Sequence, residues 1–127
     1  MKKVRYILGI LIITIVVFIF AGKLHYPSLP VDDVSANEAI DKLKESDSKI
    51  TEISVDGDFI WYITRSEDKG ISIADEYTKQ MVASYGWEFK EKDGAGLFFE
   101  KEGKRLIATT QMWTENYVLV KIPSDFK

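Results

Sequence analysis

Residues 87–122 read WEFKEKDGAGLFFEKEGKRLIATTQMWTENYVLVKI, and this stretch decides the fold. Trp87 and Phe89 alternate with Glu88 and Lys90, and similar alternation resumes after each of three turn signals. Those signals are Asp93-Gly-Ala-Gly96, Glu102-Gly103 and Thr114-Glu-Asn116, rich in residues that tolerate left-handed backbone or bond to their own main chain. Period-two alternation between turns predicts an antiparallel meander of four strands. Pro123, which cannot donate to a ladder, stops it.

Working outward, Ile50 to Thr64 reads as a β-hairpin around Asp56-Gly57. Ser66 to Gly70 is a polar loop, after which Ser72 caps a helix carrying Asp75 and Glu76 in its first turn. Ile73, Tyr77, Met81 and Tyr85 recur every four residues as its expected buried stripe, and Gly86 ends it. Upstream, Ser35-Ala-Asn-Glu38 has the pattern of a capping box opening a short helix from about Ala36 to Glu45. The element order α-ββ-α-ββββ defines an α+β domain, an antiparallel sheet with a helix packed on one face. The domain is expected over residues 35–124, with 125–127 a frayed tail.

Residues 7–22 carry no charge and are almost wholly apolar, and Lys2, Lys3 and Arg5 precede them. Counted from Tyr6 to Tyr26, such a run approaches the roughly 20 residues a membrane helix needs. The sequence therefore predicts a basic cytoplasmic tag over 1–6, a transmembrane signal anchor over 7–26 and a stem over 27–34. Basic flanks stay inside, which places the domain outside the cytoplasm on a single-pass chain. A cleaved secretory signal is the alternative, although the bulky Phe20 suits it poorly. In layout the chain is similar to the short signal-anchored extracytoplasmic proteins of low-GC Gram-positive bacteria, a likeness that rests on no motif.

Charge and composition narrow the function classes. Four of the 17 basic side chains and none of the 20 acidic ones lie in residues 1–31, leaving the remainder at 13 against 20, a net of −7. Such a domain has no attraction for phosphate backbones, and nucleic acid is not an expected partner. The chain has no cysteine, and its one histidine, His25, precedes the domain. A histidine triad, a thiolate nucleophile and a His/Cys metal site are thereby excluded from the domain. No pair of carboxylates is singled out by spacing, so no catalytic, cofactor-binding or metal-binding residue is expected.

The positive signal is aromatic. Alternation assigns Ile53, Val55, Phe59, Trp61, Ile63, Trp87, Phe89, Leu97, Phe99, Leu106, Ala108, Met112, Val118, Val120 and Ile122 to the core face. Yet Ile60, Tyr62, Phe98, Ile107, Trp113, Tyr117 and Leu119 fall on the opposite face, more apolar surface than a wet sheet face needs. Tyr62, Phe98, Trp113 and Tyr117 form the candidate binding patch. The expected function is a non-enzymatic binding domain acting on another cell-envelope protein, for instance as an immunity or exclusion factor. The alternative is a module that stacks a cell-wall glycan or small ligand on the same aromatics.

Overall fold

The computed structural model describes residues 5–14, 26–66 and 70–127. Residues 5–14 are helical (α1). The domain then runs α2 (Ala36–Glu45), β1 (Ile50–Asp56), β2 (Phe59–Arg65), α3 (Ser72–Ala83), β3 (Glu88–Asp93), β4 (Gly96–Lys101), β5 (Lys104–Met112), β6 (Tyr117–Pro123) and a 3₁₀ turn (Ser124–Phe126). The six strands form one sheet in the order β1-β2-β6-β5-β4-β3, antiparallel throughout. It is a small α+β domain in which the meander β3 to β6 folds back so that β6 pairs with β2. α3 carries the chain across to the far edge.

The transmembrane element of the sequence reading is corrected. Among the described residues no helix is long and apolar enough to cross a membrane. The described part of α1, residues 5–14, rises about 15 Å against the roughly 30 Å of a hydrocarbon core. Residues 15–25 of the expected anchor lie outside the described residues.

The helix starts follow local chemistry. Ser35 caps α2, its Oγ accepting from the Glu38 amide at 3.2 Å. Ala39, Ile40 and Leu43 make the buried side of that helix. α3 departs from expectation, because Ile71 holds the cap position without a side-chain bond and Ser72 is already helical. Its buried residues are Ala74, Asp75, Thr78 and Val82, one position on from the stripe first read. Small side chains at spacing four let the helix lie close to the sheet, while Tyr77 and Met81 pack at its flank.

The two helices sit on opposite faces, which corrects the expectation of a sheet covered on one side. On one face, α3, Trp87 and Phe126 close over Tyr62, Leu97, Phe99, Leu106, Val120 and Ile122. On the other, α2 with Val31 and Val34 covers Ile53, Trp61, Ile63, Tyr117 and Leu119. The core face inferred from alternation had joined Trp61 and Ile63 to Leu97 and Val120. The error lies where hairpin meets meander: Ile53, Trp61 and Ile63 do share a face, but β2 pairs with β6 so that Tyr62 opposes Val120 and Ile63 opposes Leu119. The hairpin pairs Asp56 with Phe59, so its loop is Gly57-Asp58, one residue later than read. With the bulge between Glu52 and Ser54, this puts Val55 opposite Ile60, on the other face from Ile53.

The C-terminal residues do not fray. Phe126 is 1% exposed and sits edge-on to Tyr62 and Tyr85, with ring centroids at 6.3 and 5.0 Å. The Trp87 indole donates to the Phe126 carbonyl at 2.9 Å, and the Ser124 amide donates to the Asp58 carbonyl at 2.7 Å.

Candidate functional site

The four aromatics proposed from the sequence do not come together. Tyr62, 4% exposed, pairs with Val120 and belongs to the α3 face. Tyr117 is buried under the α2 side, with Trp113 half-buried beside it at 6.3 Å between ring centroids. The Trp113 indole donates to the Pro27 carbonyl at 3.2 Å, and Tyr26 stacks on its ring at 5.9 Å. Phe98 stands alone on β4, two strands from Tyr117 in the sheet.

Tyr62 has a separate interest. Its hydroxyl is buried without a hydrogen-bond partner among the described residues. Burial pushes the phenol up from 10.0, against the lowering effect of Lys127, whose ammonium acts by its charge and by a polar contact with the hydroxyl that falls outside hydrogen-bond geometry. Lys127 is also raised, from 10.5, chiefly by its hydrogen bond to Glu52 and against its own desolvation. Both groups hold protons more tightly in the folded state. Their contribution is complete below the unfolded value of 10.0 and is lost as pH climbs through the folded ones. Tyr62→Phe is expected to raise stability at neutral pH by about 1 kcal/mol, because an unbonded buried hydroxyl is removed. It should also shallow the alkaline loss seen in melts at rising pH. A destabilised variant would mean that the hydroxyl is bonded.

The site that the fold builds lies elsewhere. α2 contacts β1 and β2, and its cover stops over the first part of β6. Beyond it the same face of β6, β5, β4 and β3 is open. Cross-strand register sets what is displayed there: Phe59 opposite Pro123, Lys121 opposite Thr109, Ile107 opposite Phe98 and Arg105 opposite Glu100. Ile107 is 45% and Phe59 37% exposed, while Phe98 is half-buried. A Cβ added at Gly96 would meet the Phe98 ring at 3.2 Å and Ile107 Cγ2 at 3.4 Å, so these two side chains lie against the bare glycine.

An open cleft of about 530 Å³ runs between Phe59, Ile107, Thr109, Lys121 and Pro123, with Arg105 and Asp125 among its other lining residues. That volume falls within the range of ligand-binding clefts. The Lys121 ammonium stands 4.1 Å from the Phe59 ring centre and 5.5 Å from that of Trp61, held by the negative faces of the rings. Arg105 Nε lies 3.8 Å from Glu100 Oε1, and Lys90 reaches the same carboxylate at 3.9 Å. No group of three or more His, Cys, Asp or Glu side chains among the described residues could hold a metal ion.

Of this site, period-two alternation finds Phe98 and puts Ile107 on the wetter face. It assigns Phe59 to the core and gives no role to Lys121 or Arg105. The available signal was the Glu102-Gly103 loop: with Lys101 paired to Lys104, Phe98 must oppose Ile107.

No protein-family model, no curated protein and no solved structure matches the chain.

Proposed function

We propose that the domain is a non-catalytic binding module that docks a partner protein on the open half of its sheet. The observation that carries this reading is the uneven cover of one face: α2 buries Trp61 and Ile63 while Ile107 and Phe59 stay in water. Both sheet edges are poor docking rims. β3 reads EFKEKD, β1 carries a bulge, and both devices discourage strand addition. The face is therefore the better route. The glycan reading is less well supported, because Tyr26 already stacks on the Trp113 ring that a sugar would need. The basic start and apolar run of the first residues support export, which would make the partner a protein of the cell envelope.

The test is a photo-crosslinking amino acid placed at Ile107 in the native cells, with exposed Val55 as the comparison site. An adduct with one protein, identified by mass spectrometry and formed from position 107 far more than from 55, is the expected result. No adduct, or equal yield at both positions, would remove the docking reading.

A further inference from the structure

We infer that the occupant of the open half-sheet is an acidic amphipathic helix of the partner, with a carboxylate over Lys121 and its apolar side against Phe59, Ile107 and Phe98. This rests on the reading of the face as a docking surface and adds the chemistry of what docks.

The helical form follows from the sheet. On this same side α2, ten residues long, shows what the surface accepts: a short helix presenting Ala39, Ile40 and Leu43. At a strand spacing of about 4.8 Å, β6 to β3 span about 14 Å, room for one more helix of about 10 Å diameter. The guest would extend the layer that α2 begins.

The charge follows from Lys121. Arg105 already faces Glu100, and Lys90 is shared between Glu88 and Glu100. Lys121 makes no ion pair among the described residues and rests on an apolar aromatic floor. A carboxylate arriving there would meet a cation from which docking also removes water, the setting in which a charge pair fixes register and partner choice. Arg105 has five donors and keeps capacity for a second acceptor. The remainder of the domain opposes a long polyanion: Asp125 lines the cleft, Glu91 sits opposite Phe98, and residues 32–127 carry a net −7. The fitting segment concentrates its acid at one end and is apolar elsewhere.

The test uses the full-length chain and three labelled synthetic helices of about 12 residues, long enough to cross the open strands. One carries a leucine and phenylalanine stripe with glutamates clustered at one end, the second has lysines in place of the glutamates, and the third scrambles the first. Fluorescence anisotropy is read at about 0.15 M salt, where the screening length of about 8 Å mutes the distant charges. The glutamate helix should bind at least about 10-fold more tightly than either control. Lys121→Glu should abolish that preference, and Ile107→Asp should weaken binding by a similar factor, with both variants melting like the parent.

Equal or tighter binding of the lysine helix overturns the inference, as does a preference that survives Lys121→Glu. Sedimentation of the chain alone covers the other occupant. A dimer that Ile107→Asp dissolves would assign the face to a second copy and overturn the inference too. Crosslinking from Ile107 without a preference for the glutamate helix leaves the docking face standing and removes only its acidic guest. Failure of both removes both.

Discussion

Phe126→Ala should lower the unfolding free energy by about 3–5 kcal/mol, the usual cost of emptying a buried phenylalanine site. The ring is 1% exposed and fills the space between Tyr62 and Tyr85 beneath the end of α3. Two edge-on aromatic contacts add to its area burial, each worth about 0.5–1.5 kcal/mol. The site has little means of collapsing, since Tyr62 is fixed within the sheet and Trp87 is tied to the Phe126 carbonyl. For a domain of about 90 residues the loss would consume a large part of a total of about 5–15 kcal/mol. Urea titration followed by tryptophan fluorescence is the measurement. The neighbouring Lys127→Ala serves as control, because its half-exposed pair with Glu52 is worth about 1 kcal/mol at most. A drop of under about 1 kcal/mol for Phe126→Ala would show that the C-terminal turn leans on the core without completing it.

The same residue shows where sequence reading stops. Strand order along the chain was legible because turns announce themselves: Gly57 and Gly103 take φ of 59° and 81°, conformations that residues with a side chain resist. The Ser35 cap was legible for a similar local reason. Phe126 was not, since a lone aromatic among polar neighbours has no period to betray it. Its partners Tyr62, Tyr85 and Trp87 are remote in sequence, and Tyr62 comes beside it through the β2–β6 pairing.

Faces were harder than strands. Alternation tells that β2 has two sides, and the five buried residues in a row from Ile60 to Thr64 show that both are covered. Nothing local says which side α2 will take. The segment before α2 is tied to β1, where Asp33 accepts from the Ser54 hydroxyl at 2.7 Å, a contact across 21 residues that no local pattern announces. The candidate site inherits the difficulty. Tyr62 and Tyr117 looked surplus because one helix was laid on the sheet in place of two. With two helices in place, the surplus shrinks to Phe98 and Ile107, joined by Phe59 from the expected core set, where α2 is too short to reach.

Asp75→Ala should cost about 2–3 kcal/mol, the scale of a buried hydrogen bond to a charged group. The carboxylate is 4% exposed in the first turn of α3. One oxygen accepts from the Thr110 hydroxyl on β5 at 2.9 Å, and the other takes the Lys92 ammonium from β3. β3 and β5 are not neighbours, so a single side chain ties the helix to two strands with β4 between them. Removing it leaves the 1%-exposed Thr110 hydroxyl without its acceptor, whereas Lys92, 40% exposed, can turn to water. Most of the cost therefore belongs to Thr110, which gives the test its control. Adding Thr110→Val to Asp75→Ala should recover about 1 kcal/mol, because a missing pair costs less than an orphaned partner. Asp75→Asn, which can still accept from Thr110, should fall between parent and alanine variant. Urea unfolding of the four proteins decides it: a valine that adds to the loss would place the cost on Lys92 and the helix terminus.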